Sequence, residues 1–152
     1  MKQVYDLLDK VRDELRGNPS VFTVSFGDIS DVDLAKTTIF PLTHLMIDSA
    51  VLEERAIAFT LKVLCLDIVD YNKESSNFDE FYGNNNFQDV LNTQFQVINS
   101  IVMKLRRGGL YDDLLQVEDN VTVTPFKERF ENELAGWGAD IVIKIPNGIS
   151  IC

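Results

Sequence analysis

The chain has 152 residues, 45% hydrophobic and 25% charged, which is enough for one domain (1–152) with a real core and too apolar for wholesale disorder. Its formal net charge of −10 argues against autonomous binding to DNA, RNA or an anionic membrane, because phosphate contacts need clustered Lys and Arg. No apolar run approaches the roughly 20 residues of a membrane span. Two cysteines, Cys65 and Cys152, make no disulfide framework; with the acidic, amphipathic opening MKQVYDLLDK they point to a reduced, cytosolic setting.

Residues 2–16 read as a helix in which Val4, Leu7, Leu8, Val11 and Leu15 form one stripe and Asp6, Asp9, Lys10, Asp13 and Glu14 lie away from it. Gly17 and Asn18-Pro19 stop it, since proline pushes the preceding residue out of helical conformation. Val21 to Phe26 alternates as a short strand, and GDISDVDLAK (27–36) is an acidic connection.

Residues 38–70 organise the fold as a long hairpin. A first strand, Ile39 to Asp48, opens with Phe40-Pro41, where a proline forfeits a donor only at the edge of the pairing. The turn is placed at Ser49 to Arg55. In the second strand Ile57, Phe59, Leu61, Val63 and Cys65 alternate with Ala58, Thr60, Lys62, Leu64 and Leu66. Both sets are largely apolar, which predicts a central strand covered on both faces.

Residues 71–86 mix Asn, Ser, Gly and acidic residues with Phe78, Phe81 and Tyr82 and read as a long flexible loop. Its aromatics either meet a partner or tuck back onto their own core. Asn86 is placed as the cap of a second helix running to Arg107, with Leu91, Phe95, Ile98, Val102 and Leu105 as its buried stripe and Ile101 beside it. Lys104, Arg106 and Arg107 suit the helix C-terminus, and Gly108-Gly109 ends it.

Leu114–Val117 and Val121–Thr124 form one interrupted strand or two short ones, ended by Pro125. Phe126 to Leu134 is expected to hold a helical turn, because Phe126 and Phe130 are spaced as helical neighbours. Ala139 to Ile145 alternates as a strand, Pro146-Asn147-Gly148 turns, and residues 146–152 form a terminal extension. The fold class is thus α/β (α+β): a mostly antiparallel sheet of about five strands packed by an N-terminal helix and a second long helix.

The search for chemistry returns mainly structural assignments. His44 is the single histidine and lies in a predicted strand, where it is structural rather than catalytic. Asp28, Ser30, Asp31 and Asp33 resemble a calcium loop only loosely: the required Gly is replaced by Asp33, and Ile39 stands where a bidentate Glu belongs. Asp67 and Asp70 end a strand with no nucleophile or metal motif nearby. Gly108-Gly109 follows a helix rather than opening a phosphate cradle. Cys65 is read as an inert core thiol, and Trp137, between Gly136 and Gly138, as a packing or interface residue. No catalytic residue, cofactor or metal site is assigned.

Three places carry a family resemblance: Phe40-Pro41 opening the first hairpin strand, the long helix after an irregular loop, and Gly136-Trp137-Gly138-Ala139-Asp140 running into Ile141-Val142-Ile143. Together they resemble the tail terminator proteins of tailed bacteriophages and related neck ring proteins. The Asn-rich loop and the stretch after Pro146 depart from that pattern. The resemblance implies a non-enzymatic virion protein, assembled in the host cytoplasm into a closed ring that joins head connector to tail, or ends the tail tube, while DNA passes through. Rings close through heterologous contacts. Expected contact residues are Asp28, Asp31 and Asp33, then Phe78, Phe81 and Tyr82, with Trp137, Ile149 and Ile151. The expected partners are other copies of the chain and neighbouring connector, neck or tail proteins, with no specific nucleic-acid contact and no membrane. Two other classes compete with it. One is a small cytosolic enzyme or ligand-binding domain with a site near Asp67 and Asp70; the other is an adaptor binding one host protein through the aromatic loop.

Overall fold

The core begins on the first helix, α1 (Gln3–Arg16), where Leu7, Val11 and Leu15 are buried while Val4 stands 44% exposed. The computed structural model describes residues 3–32, 37–70, 81, 85–117, 120–129 and 133–148. The helix stops where expected: the amides of Gly17 and Asn18 donate to the Asp13 and Leu15 carbonyls at 3.1 and 3.0 Å. The next strand, β1 (Thr23–Phe26), is shorter than the alternation predicts, since the amides of Phe22 and Thr23 both donate to the Pro41 carbonyl before the ladder begins.

The central hairpin pairs β2 (Leu42–Leu52) with β3 (Ala56–Ile68). Its first strand starts later than expected. Ile39 belongs to a 3₁₀ turn, Thr37–Ile39, and Pro41 precedes the ladder because it has no N–H to give. The turn is also shorter. The polar pair Asp48-Ser49 marks a bulge, not the end of the strand, and pairing resumes through Leu52 opposite Ile57. Glu53 N–H then closes the turn onto the Ala56 carbonyl at 2.9 Å.

Five strands form one sheet in the order β1-β2-β3-β5-β4, with β4 at Val123–Arg129 and β5 at Glu133–Pro146. β1 runs parallel to β2 and every other pairing is antiparallel. The fold is the mixed α+β architecture expected, with β3 central. One sheet face, carrying Leu45, Leu61, Val63, Cys65, Ile141 and Ile143, joins the two long helices in the main core. On the other, Leu42, Leu66 and Leu134 form a smaller cluster under Ile39, Phe40 and Phe126. Farther along that face Thr60, Lys62 and Val142 are only half-buried and Asp140 is exposed, so the cover on this side is partial.

The last third departs most from the sequence expectation. Pro125 lies inside β4 and does not end it. The strand is an edge, where a missing donor costs no ladder bond if it faces outward. No helical turn is formed by the described residues between Phe126 and Leu134: Phe126 lies in β4 and Leu134 in β5, as the two arms of a hairpin. Phe126 is therefore a strand residue and not part of a helical turn, while Phe130 lies outside the described residues. The 114–117 segment contributes a single bridge, Gln116 to Lys144, and not a strand.

The second long helix, α2 (Phe87–Arg107), is rotated from its expected face. Val90, Gln94, Val97, Ile98, Ile101, Val102 and Leu105 point inward, whereas Leu91 is half-buried and Phe95 is 40% exposed. A polar residue in the buried stripe and an aromatic outside it are what misled the pattern. Asn86 is not the side-chain cap either: Asn85 Oδ1 accepts the Phe87 N–H at 3.0 Å. Asn86 instead accepts the Asp70 N–H on its Oδ1 at 2.7 Å and donates its own N–H to the Asp70 carbonyl at 3.1 Å, joining the two ends of the 71–85 stretch. Gly108 closes α2, its N–H donating to Lys104, and Gly109 does open a short helical turn, α3 (Gly109–Asp112), which is too brief for an anion site.

Candidate assembly interface

The described candidate residues fall on separate segments: the 3₁₀ turn after β1, residue 81 and β5. Asp28 caps the 3₁₀ turn Ile29–Asp31, its Oδ1 accepting the Ser30 N–H at 2.9 Å; the Ser30 amide and hydroxyl hold its carboxyl below the ordinary aspartate value. Asp31 ends that turn. Phe81 is 74% exposed and its carbonyl accepts Gln88 Nε2–H at 2.9 Å. Asp33, Phe78, Tyr82, Ile149 and Ile151 lie outside the described residues.

Trp137 sits in β5 on the helical face. Its Nε1–H donates to the Leu91 carbonyl at 2.7 Å, and its ring meets Phe95 edge-on with centroids 5.3 Å apart and planes at 65°. The flanking glycines have a packing cause. A Cβ on Gly136 would overlap the Cys65 carbonyl of β3, and one on Gly138 would come within 3.0 Å of Leu64 Cδ2. The Gly-Trp-Gly run thus lets β5 lie tight on β3 while its tryptophan anchors α2.

His44 is fully buried with both nitrogens engaged. Gly27 carbonyl can only accept, so Nε2 carries a proton and donates to it at 2.8 Å; Nδ1 meets Ser25 Oγ at 2.7 Å. The ring thereby fastens β1 to β2, a structural role. Cys65 is buried and bonded by the Thr43 hydroxyl at 3.6 Å; burial pushes its thiol up to about 12. Asp67 Oδ1 accepts the Ile68 N–H at 2.7 Å, and burial, with a smaller push from Asp70, raises its carboxyl above the ordinary value. Asp70 is exposed and engaged with Asn86. Among the described residues no group of three or more His, Cys, Asp or Glu could hold a metal. Among the described residues no helix is long and apolar enough to cross a membrane.

Sequence reasoning missed the apolar side chains at the sheet's first edge. Tyr5 is 68%, Phe22 71% and Phe26 57% exposed beside α1 and β1, and Leu52 at the hairpin tip is 78% exposed. Strand alternation pointed to Phe22 and Phe26 only as strand residues, because an edge strand leaves their outward side open. One signal was readable: Val90 to Met103 contains no Asp, Glu, Lys or Arg.

The fold class defined here is a single mixed sheet with its two long helices on one face. No protein-family model and no curated protein matches the chain.

Proposed function

We propose that this chain is a structural virion subunit of a tailed bacteriophage, a tail terminator or neck ring protein that self-assembles into a closed ring through which DNA passes. The observation that carries the reading is an open sheet. β1 and β4 are edges at opposite ends, and among the described residues neither has a second strand beside it. Open edges flanked by exposed apolar side chains are liabilities in a monomer and docking surfaces in an assembly. Two ends that differ from one another suit heterologous contacts, the kind that close into rings. The element order adds support, with Phe40-Pro41 just before β2 and Gly136 to Asp140 inside β5.

Light scattering and negative-stain electron microscopy of the purified protein test this reading. The expected result is a concentration-dependent shift from monomer to closed rings of uniform diameter. A protein that stays monomeric at the highest attainable concentration, and is absent from purified particles, overturns it.

A further inference from the structure

We propose that the ring contact is made between the α1/β1 end of one copy and a groove between α2 and β4 of the next, whose only charged lining residue is Arg106 at one end. This deepens the ring reading above and rests on it.

The groove, about 520 Å³, lies between the outer side of α2 and the 120–123 segment that leads into β4, with Phe95, Asn99 and Met103 on one wall and Val121 and Val123 on the other. Its helical wall is unusual for a surface. Asn92, Gln96 and Asn99 are exposed, yet from Val90 to Met103 there is no charged residue, in a chain that is 25% charged. Depletion of charge around an aromatic and a methionine is the composition of an interface centre, not of a solvated helix face.

At the other end of the same sheet three aromatic side chains stand exposed. Tyr5 on α1, Phe22 just before β1 and Phe26 at its end are 68%, 71% and 57% exposed. Full cover of such a ring removes about 150–250 Å² from water, so these three supply roughly half of the ~800 Å² per partner that a stable contact needs. The rims also match in sign: Asp6 is exposed beside Tyr5, and Arg107 is exposed beyond the groove's Arg106.

The occupant is a second copy of this chain because both halves of the contact belong to it. β1 and β4 are opposite edges of one sheet, so one copy cannot bring its own knobs to its own groove. The contact is heterologous: each copy has one of each surface to offer, and the series ends only by closing.

Two variants test it. Phe22→Ser with Phe26→Asp removes the knobs, and Asn99→Glu puts a charge in the groove. Each alone is expected to weaken self-association by on the order of tenfold or more while keeping a wild-type melt. Mixed in equal amounts they are expected to form dimers and nothing larger, since each retains the surface the other lost. Tyr5→Ser, at an exposed position on α1 rather than in a strand, carries the same expectation as the knob variant should that one prove unstable. If the wild type assembles and the variants assemble equally well, the choice of faces is wrong and the ring reading stands. If the wild type never associates, both fall.

Discussion

Gln94 is the residue most at odds with its surroundings. It is fully buried in the α2 stripe, and neither its Oε1 nor its Nε2 has a hydrogen-bond partner among the described residues. A buried amide left unsatisfied costs about 1–3 kcal/mol, so Gln94→Met, which keeps the volume, should raise stability by about that amount in a denaturant melt. A loss of stability would instead mean that a buried water bonds the amide. Asp67 makes a second, pH-dependent case. Its folded pKa is raised chiefly by burial, so the charged form is disfavoured in the native state and stability falls as pH rises through that pKa. Asp67→Asn keeps an acceptor for the Ile68 amide and removes the charge. It should therefore stabilise at neutral pH, with the gain shrinking toward zero as pH is lowered through the carboxylate range. A gain that is the same at both ends would show that the carboxylate is not the cause.

At the scale of elements, α2 on β3 is the joint that the core depends on. Leu61 in β3 and Ile98 in α2 are 0% and 1% exposed and belong to one cluster. Truncating either to Ala should cost about 2–5 kcal/mol by lost transfer energy and the cavity left behind. Changes below about half a kcal/mol in both would break the joint as described. Those two positions were legible from period alone, as were α1, β3 and the strand through Ile141 and Ile143. The misreadings have local causes. Pro125 is tolerated because β4 is an edge, Asp48-Ser49 is a bulge that resembles a turn, and Gln94 and Phe95 exchange the positions their polarity predicts. Trp137 was legible from its chemistry as a packing residue. Tyr5, Phe22 and Phe26 were not, because exposure at an edge is a tertiary property that no local pattern encodes.

For the whole molecule, charge decides two behaviours that run in opposite directions with salt. Some of the basic side chains are paired with acids: Lys104 with Glu14 at 2.7 Å, Lys127 with Glu133 at 3.0 Å, Lys144 with Glu53 at 3.5 Å and Arg12 with Asp9 at 3.2 Å. No basic stripe is left to offset a net charge of −10, so duplex DNA at ~0.15 M salt should not shift in a gel at protein concentrations of about 10 μM. Tight, salt-sensitive binding would point to direct DNA handling in place of passive passage.

Self-association should respond to salt the other way. Every subunit brings a charge of −10 to the ring, and like charges oppose closure until they are screened. Between about 0.01 M and 1 M salt the screening length falls from about 30 Å to about 3 Å, removing most of that repulsion. The proposed contact itself is aromatic and amide in its centre, with a charge pair only at its rim, and such exposed pairs contribute about 0–1 kcal/mol. Repulsion between whole subunits therefore outweighs the rim pair, and added sodium chloride should strengthen assembly in a sedimentation series at fixed protein concentration. Assembly that weakens steadily with salt would mean that ion pairs hold the copies together, which the uncharged stretch of α2 from Val90 to Met103 cannot supply.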